Sequence, residues 1–206
     1  MENYFDIVAK DWDDKPSNIE RTYAIAKELA MVFAKKKYET ALEYGAGTGL
    51  LSVLLKNHFS SITLMDNSIQ MLCTTIEKLA DADIHHIKPQ FFDLEHHVYQ
   101  TKKFDAIYTQ MALHHIVDVD LIITKFYNLI NKNGMLAIVD LYEEDGSFHD
   151  REFSGHLGFN PEYLSKLLFS KGFSNVHYKQ CFVINKKDNN DKENSYPIFL
   201  LTGYKK

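Results

Sequence analysis

Apolar side chains at Ile19, Tyr23, Ile25, Ala26, Leu29, Ala30 and Phe33 recur largely at helical spacing, which predicts a helix over residues 18–37. A shorter helix is predicted over 3–11, with the break between them at Lys15-Pro16. From residue 40 the pattern changes to short apolar runs alternating with helical stretches. Strands are predicted over 40–44, 62–66, 87–93, 104–108 and 135–140, the last an unbroken apolar run of the kind found in buried parallel strands. The intervening helices are predicted over 50–58, over 68–79 with Ser68 as its cap, and over 119–130, closed by Asn133-Gly134. Asn160-Pro161 starts a further helix that stops at Lys171-Gly172. Two long strands, 175–184 and 196–204, flank the polar stretch 185–195, which is expected to be a mobile hairpin loop.

Strands alternating with helices imply right-handed crossovers and a parallel sheet covered on both faces, here with an antiparallel hairpin at one edge. The 206 residues fit one α/β domain, read as an N-terminal helical cap (1–37) followed by a Rossmann-like core (38–206). With 45% hydrophobic and 25% charged residues the chain has the balance of a globular protein. A formal net charge of −5 disfavours broad electrostatic binding to nucleic acid or to an anionic membrane. The short basic run Lys35-Lys36-Lys37 reads as the solvated end of a helix. Cys73 and Cys181 stand far apart, in no metal-ligand spacing, and are expected to be reduced thiols. With no secretory signal pattern and no apolar run near the ~20 residues that span a bilayer, a cytoplasmic location is expected.

The chemistry is expected at Glu43-Tyr44-Gly45-Ala46-Gly47-Thr48-Gly49, where glycines alternate between a strand and a helix. Such a turn bares main chain at the carboxyl end of a sheet, where a nucleoside-bearing ligand can lie. The dinucleotide fingerprint G-x-G-x-x-G is not met, because the third glycine comes one residue early, and no Gly-Lys-Ser/Thr marks a phosphate loop. Glu43 would repel a pyrophosphate but attract a cation, and S-adenosylmethionine carries an ammonium and a sulfonium and no phosphate. Asp66, 21 positions after Gly45, matches the acid that holds ribose hydroxyls. Asp93 is placed to accept from an adenine amino group, with Phe92 and Leu94 beside the ring and Met71 covering it; its other reading is a cap for 94–99.

In these segments the chain resembles the class I S-adenosylmethionine-dependent methyltransferases. The resemblance is carried by LEYGAGTG (42–49), LMDNSIQML (64–72), FFDLE (91–95), FDAIYTQMALHHIVD (104–118) and NKNGMLAIVDLYEEDGSFH (131–149). It looks closest to small bacterial enzymes of the ubiquinone/menaquinone-biosynthesis-like type. The resemblance implies a seven-stranded sheet of order 3-2-1-4-5-7-6 with strand 7 antiparallel. It also implies S-adenosyl-L-methionine as cofactor, bound by Glu43, Tyr44, Gly45, Ala46, Gly47, Gly49, Asp66, Asn67, Met71, Asp93, Leu94 and Gln110. Thr109 and Gln110, just past strand four, would then lie near the transferred methyl. Tyr44 departs from the small or aliphatic residue found in many relatives.

Methyl transfer from a sulfonium is an in-line displacement that needs alignment and exclusion of water, and a base only if the acceptor must lose a proton. His114, His115 and His149 are the candidates for that base. One of the 114–115 pair is expected to point into the cleft and the other to pack beneath the following helix. His149, His156, Glu143, Glu144 and Asp150, in a loop that also carries Glu152, could supply a metal site or form a solvated polar loop; their spacing matches no zinc pattern and no metal is expected. Tyr4, Phe5 and Trp12 either close over the cofactor or pack as a terminal helix. The expected acceptor is a small molecule, with no nucleic-acid or membrane partner. The alternatives are an RNA or protein acceptor, a non-catalytic S-adenosylmethionine-binding protein, or, disfavoured by the glycine spacing, an NAD-dependent dehydrogenase.

Overall fold

Strand and helix alternate along the chain as the apolar pattern requires. In the computed structural model, which describes residues 4–149, 153–187 and 193–206, α1 (Tyr4–Val8) and α2 (Pro16–Phe33) come first. They are followed by β1 (Thr40–Tyr44), α3 (Leu50–Leu55), β2 (Ser61–Asp66), α4 (Ile69–Asp81) and β3 (Ile87–Phe91). Next come β4 (Phe104–Gln110), α5 (Val119–Leu129), β5 (Ile130–Leu141), α6 (Pro161–Ser170), β6 (Phe173–Lys187) and β7 (Glu193–Lys205). The strands form a seven-stranded sheet in the order β3-β2-β1-β4-β5-β7-β6. β1 to β5 pair in parallel and β7 runs antiparallel to both β5 and β6, the topology that the family resemblance implies.

Side chains alternate between the two faces with the period of a strand. Ala41, Ala106, Ala137 and Leu200 face one core, which Ile25, Leu29 and Phe33 of α2 and Leu51 and Leu55 of α3 complete. Leu42, Ile107, Leu136 and Leu201 face the other, closed by Ile122 and Phe126 of α5 and Leu164 and Leu168 of α6. The winding reverses between β1 and β4, which are neighbours in the sheet although β2 and β3 intervene in sequence. Crevices in open α/β sheets form outside the carboxyl ends of strands at such a switch point.

Several predicted boundaries move. Asn133-Gly134 does not close α5: the helix ends at Leu129, and Ile130 already pairs with Phe104. The register then jumps to Ala106 opposite Met135, so Asn133, at φ 63°, sits in a bulge inside β5. α2 ends at Phe33, so the lysine run follows the helix instead of ending it: Lys36 donates to the Asn133 carbonyl at 3.0 Å and Lys37 pairs with Glu39. β4 extends through Thr109 and Gln110, which therefore belong to the strand. The polar stretch 185–195 is shorter as a loop than predicted, because Asn185, Lys186 and Lys187 pair with Ser195, Asn194 and Glu193. Main-chain pairing at a sheet edge needs no apolar side chains, so composition concealed these ladder positions; residues 188–192 lie outside the described residues. Among the described residues, no helix is long and apolar enough to cross a membrane.

Candidate functional site

A cavity of about 450 Å³ opens at the carboxyl ends of β1, β2 and β4. Its floor is the glycine turn. The N–H groups of Gly45 and Ala46 both donate to the Met65 carbonyl, at 2.9 and 3.2 Å, and tie the turn to β2. Gly45 has φ 67°, and a Cβ there would lie 2.4 Å from the Ala112 Cβ, so only glycine lets the loops after β1 and β4 approach this closely. The Gly47 N–H donates to Asp66 Oδ2 at 2.7 Å, and the Ser68 N–H donates to Oδ1 at 2.8 Å. Burial raises the Asp66 pKa against these two hydrogen bonds. The carboxyl group is therefore fixed at the cavity edge with lone pairs to spare.

Behind the turn, Glu43 is almost wholly buried. Ser52 Oγ donates to its carboxyl group and lies 2.6 Å from the Tyr108 hydroxyl. Burial pushes the Glu43 pKa up to about 8, against the stabilising hydrogen bond from Ser52. Tyr44 also lines the cavity, with its ring edge-on to Phe126 at 5.4 Å, and burial raises its phenol pKa.

The facing wall comes from α2 and the segment after β4. Arg21 is buried among the cavity-lining residues, its pKa lowered to about 10 by burial while Asp140 opposes the shift. Arg21 Nε has no hydrogen-bond partner among the described residues. Gln110 donates from Nε2 to Thr22 Oγ1 at 3.0 Å, and Thr22 donates onward to the Asn18 carbonyl at 2.8 Å. Gln110 Oε1 is buried and likewise without a partner. Met111 then turns the chain at φ 52°, an unusual conformation for a side-chain-bearing residue, with its N–H held by the Val139 carbonyl at 2.8 Å.

This turn separates the two histidines. His115 lines the cavity, with its pKa driven down to about 3 by burial and by neighbouring His114, so its imidazole is neutral. His114 is 1% exposed, and its Nδ1 lies 2.6 Å from Asp140 Oδ1. It thus packs against the end of β5. The N-terminal segment contributes to the cavity lining. Phe5 and Trp12 line it, while Tyr4 points to solvent. Asp6 accepts from Ser68 Oγ at 2.6 Å and from the Gln70 N–H at 3.0 Å. Asp13 accepts from Thr48 Oγ1 at 2.8 Å and pairs with Lys78 at 2.5 Å, which ties the segment to the glycine turn.

Of the residues singled out from sequence, Glu43, Tyr44, Gly45, Ala46, Gly47, Asp66, Asn67, Met71 and Gln110 line this one cavity. Gly49, Asp93 and Leu94 stand outside its lining. Gly49 is the left-handed cap of α3, and Leu94 is buried in the core. Asp93 turns the chain after β3, accepting from the Glu95 N–H at 2.8 Å and lying 2.9 Å from His96 Nδ1; its neighbours Phe92 and Glu95 reach the cavity. In the loop after β5, Glu143 is exposed and Glu144 accepts the N–H groups of Gly146 and Phe148. His156 donates its N–H to the His114 carbonyl at 2.7 Å. Asp150 and Glu152 lie outside the described residues. His149 instead approaches His114 and His115. Arg21 and Asp140 were missed. Arg21 did leave a trace, because it continues the stripe of Ile25 and Leu29 at four-residue steps, where a charge would otherwise be out of place.

The methyltransferase-domain family profile matches residues 18–178. An uncharacterized methyltransferase of Schizosaccharomyces pombe is 28% identical over 160 residues, covering 70% of this chain and 56% of that protein. This chain spans about half the length of the curated relatives it matches. Among solved structures, the YcgJ protein of Bacillus subtilis superposes with a TM-score of 0.71 at 13% identity, covering 88% of this chain and 97% of that one. The N-methyltransferase NodS of Bradyrhizobium japonicum, in complex with S-adenosyl-L-homocysteine, superposes with a TM-score of 0.69 at 18% identity, covering 94% of this chain and 89% of that one. At such identities the two structures bear on the fold.

Proposed function

The chain belongs to the methyltransferase-domain family, and on that premise we propose that it transfers the methyl group of S-adenosylmethionine to a small-molecule acceptor. One observation carries the cofactor reading. Two buried polar atoms of the cavity wall, Arg21 Nε and Gln110 Oε1, have no partner among the described residues, one a cationic donor and the other an acceptor. Leaving such groups unpaired is costly, about 1–3 kcal/mol each. The amino-acid end of S-adenosylmethionine offers the two complements, a carboxylate for Arg21 and an ammonium for Gln110. Asp66 then accepts from the ribose hydroxyls, and Met71 and Phe92 flank the adenine, with Asp93 behind them as a positioning residue. Glu43, ionised when a cation arrives, offsets the sulfonium charge.

In the reaction the acceptor's lone pair forms a bond to the methyl carbon while the carbon–sulfur bond breaks. Its electron pair remains on sulfur, now a neutral thioether. Phe5 and Trp12 exclude water from this path. His115 reaches the cavity, and burial and neighbouring His114 keep its imidazole neutral beside the acceptor's path.

The test is to incubate the protein with methyl-tritiated S-adenosylmethionine and separate metabolite, RNA and protein fractions of a cell extract. Label is expected in the low-mass fraction. Label in RNA or protein would overturn the small-molecule reading, and cofactor binding without transfer to any fraction would favour a non-catalytic binder.

A further inference from the structure

We propose that His114, His115 and His149 together bind one divalent transition-metal ion of the zinc class at the wall of the cavity. Their ligand atoms all lie within 4.8 Å of one another. Zinc holds imidazole nitrogens at about 2.0–2.1 Å, which sets the nitrogens of a tetrahedral site about 3.4 Å apart. The closure from that spread is about 1.4 Å, a distance that ring rotation can cover.

The surroundings are those of a built site. Asp140 is fully buried at the end of β5 and accepts from the Leu141 N–H at 2.8 Å and the His114 N–H at 3.3 Å. The short contact to His114 Nδ1 makes that nitrogen the N–H donor and leaves the Nε2 lone pair as the ligand. A carboxylate that fixes the tautomer of a metal-bound histidine in this way is the usual outer partner of such sites. The loop after β5 is drawn onto the histidine pair by main chain. The His156 N–H bonds the His114 carbonyl, and a Cβ on Gly155 would come within 2.4 Å of that same oxygen. The loop brings His149 beside the pair, its ring stacked on Phe153 with centroids 3.6 Å apart and planes at 9°.

Among the described residues the cluster is three imidazoles without a carboxylate, a donor set that suits zinc and its neighbours, not magnesium or calcium. Because His115 also lines the cavity, the fourth position of the ion opens toward it, where a ligand oxygen or sulfur can coordinate. The site rests on side-chain geometry and is independent of the methyl-donor reading. Sequence spacing gave no hint of it, since His149 lies far along the chain from the adjacent pair.

The test uses the untagged full chain, stripped with chelator and titrated calorimetrically with Zn²⁺ alone, with Co²⁺ as the spectroscopic probe. One equivalent is expected to bind, with the intense visible absorption of tetrahedral cobalt, and zinc is expected to raise the melting temperature. His149→Ala and His115→Ala should each abolish the cobalt band, and Asp140→Asn should weaken zinc binding about 10–100-fold. Melting curves in chelator, matched to wild type, would show that the His149 variant folds. Absence of stoichiometric binding, or zinc binding unchanged in the His149 and His115 variants, would overturn the site and leave the three rings as an aromatic cluster only. S-adenosylmethionine titrations of the stripped protein report separately on the cofactor, so the two readings can fail independently.

Discussion

The two walls of the cavity are made differently. The floor after β1 and β2 is main chain and fixed carboxyl groups, contributed by contiguous stretches around Gly45–Gly47 and Asp66. The facing wall is assembled from side chains distant in sequence: Arg21 and Thr22 of α2, Gln110 at the end of β4 and His115 of the next turn. The floor has its own hydrogen bonds satisfied and presents a surface ready for a ligand. The facing wall is left with a donor and an acceptor that have no partner among the described residues.

The comparison breaks most visibly at Gly45. Gly45→Val places a branched side chain at φ 67° against Ala112. Strain and overpacking together should cost about 3 kcal/mol or more, read as a lowered midpoint in urea denaturation. A midpoint within error of wild type would mean that the floor is not as tightly built as described. Arg21→Gln should leave the fold intact and weaken S-adenosylmethionine binding about tenfold, the effect of losing roughly 1.4 kcal/mol of charge-assisted hydrogen bonding. An unchanged dissociation constant would remove Arg21 from the carboxylate role.

Glu43 sharpens the contrast through pH. Its folded pKa is raised to about 8 from an ordinary 4.5. Its contribution to stability is therefore fully present below the ordinary value and is lost as pH rises through about 8, because the native state holds a proton that the unfolded chain has released. Denaturation at pH 5 and pH 9 should show wild type losing more stability than Glu43→Gln. S-adenosylmethionine affinity of wild type should rise over the same interval as the carboxylate forms. A parallel pH dependence in the two proteins would contradict the buried, protonated Glu43. The smallest effect is expected at Thr22→Val, which removes the anchor of Gln110 and should cost about 0.5–1.5 kcal/mol in cofactor affinity, measured by titration.

The same contrast explains what could be read from sequence. The strand–helix alternation, the glycine turn and Asp66 are local patterns, so β1, β2 and the floor were legible before any coordinates. Asp93 was legible as an acid at a strand end, but its place outside the cavity lining depends on how the turn at 93–96 curls, which spacing does not encode. The α5–β5 boundary failed for a similar reason. Asn133-Gly134 has the composition of a helix stop but serves as a bulge, because Ile130 had already entered the sheet. The pairing of His114 with Asp140 and the approach of His149 are products of tertiary folding across 26 and more positions, and no periodicity records them.

The proposed cofactor site turns on Asp66 gripping the sugar of an adenosyl sulfonium in the crevice. Calorimetric titration of wild type and Asp66→Ala with S-adenosylmethionine, and of wild type with NAD, tests it directly. S-adenosylmethionine is expected to bind, NAD is not, and the variant should lose about 1–3 kcal/mol of affinity. Equal affinity of the variant and wild type, or preference for NAD, would contradict it.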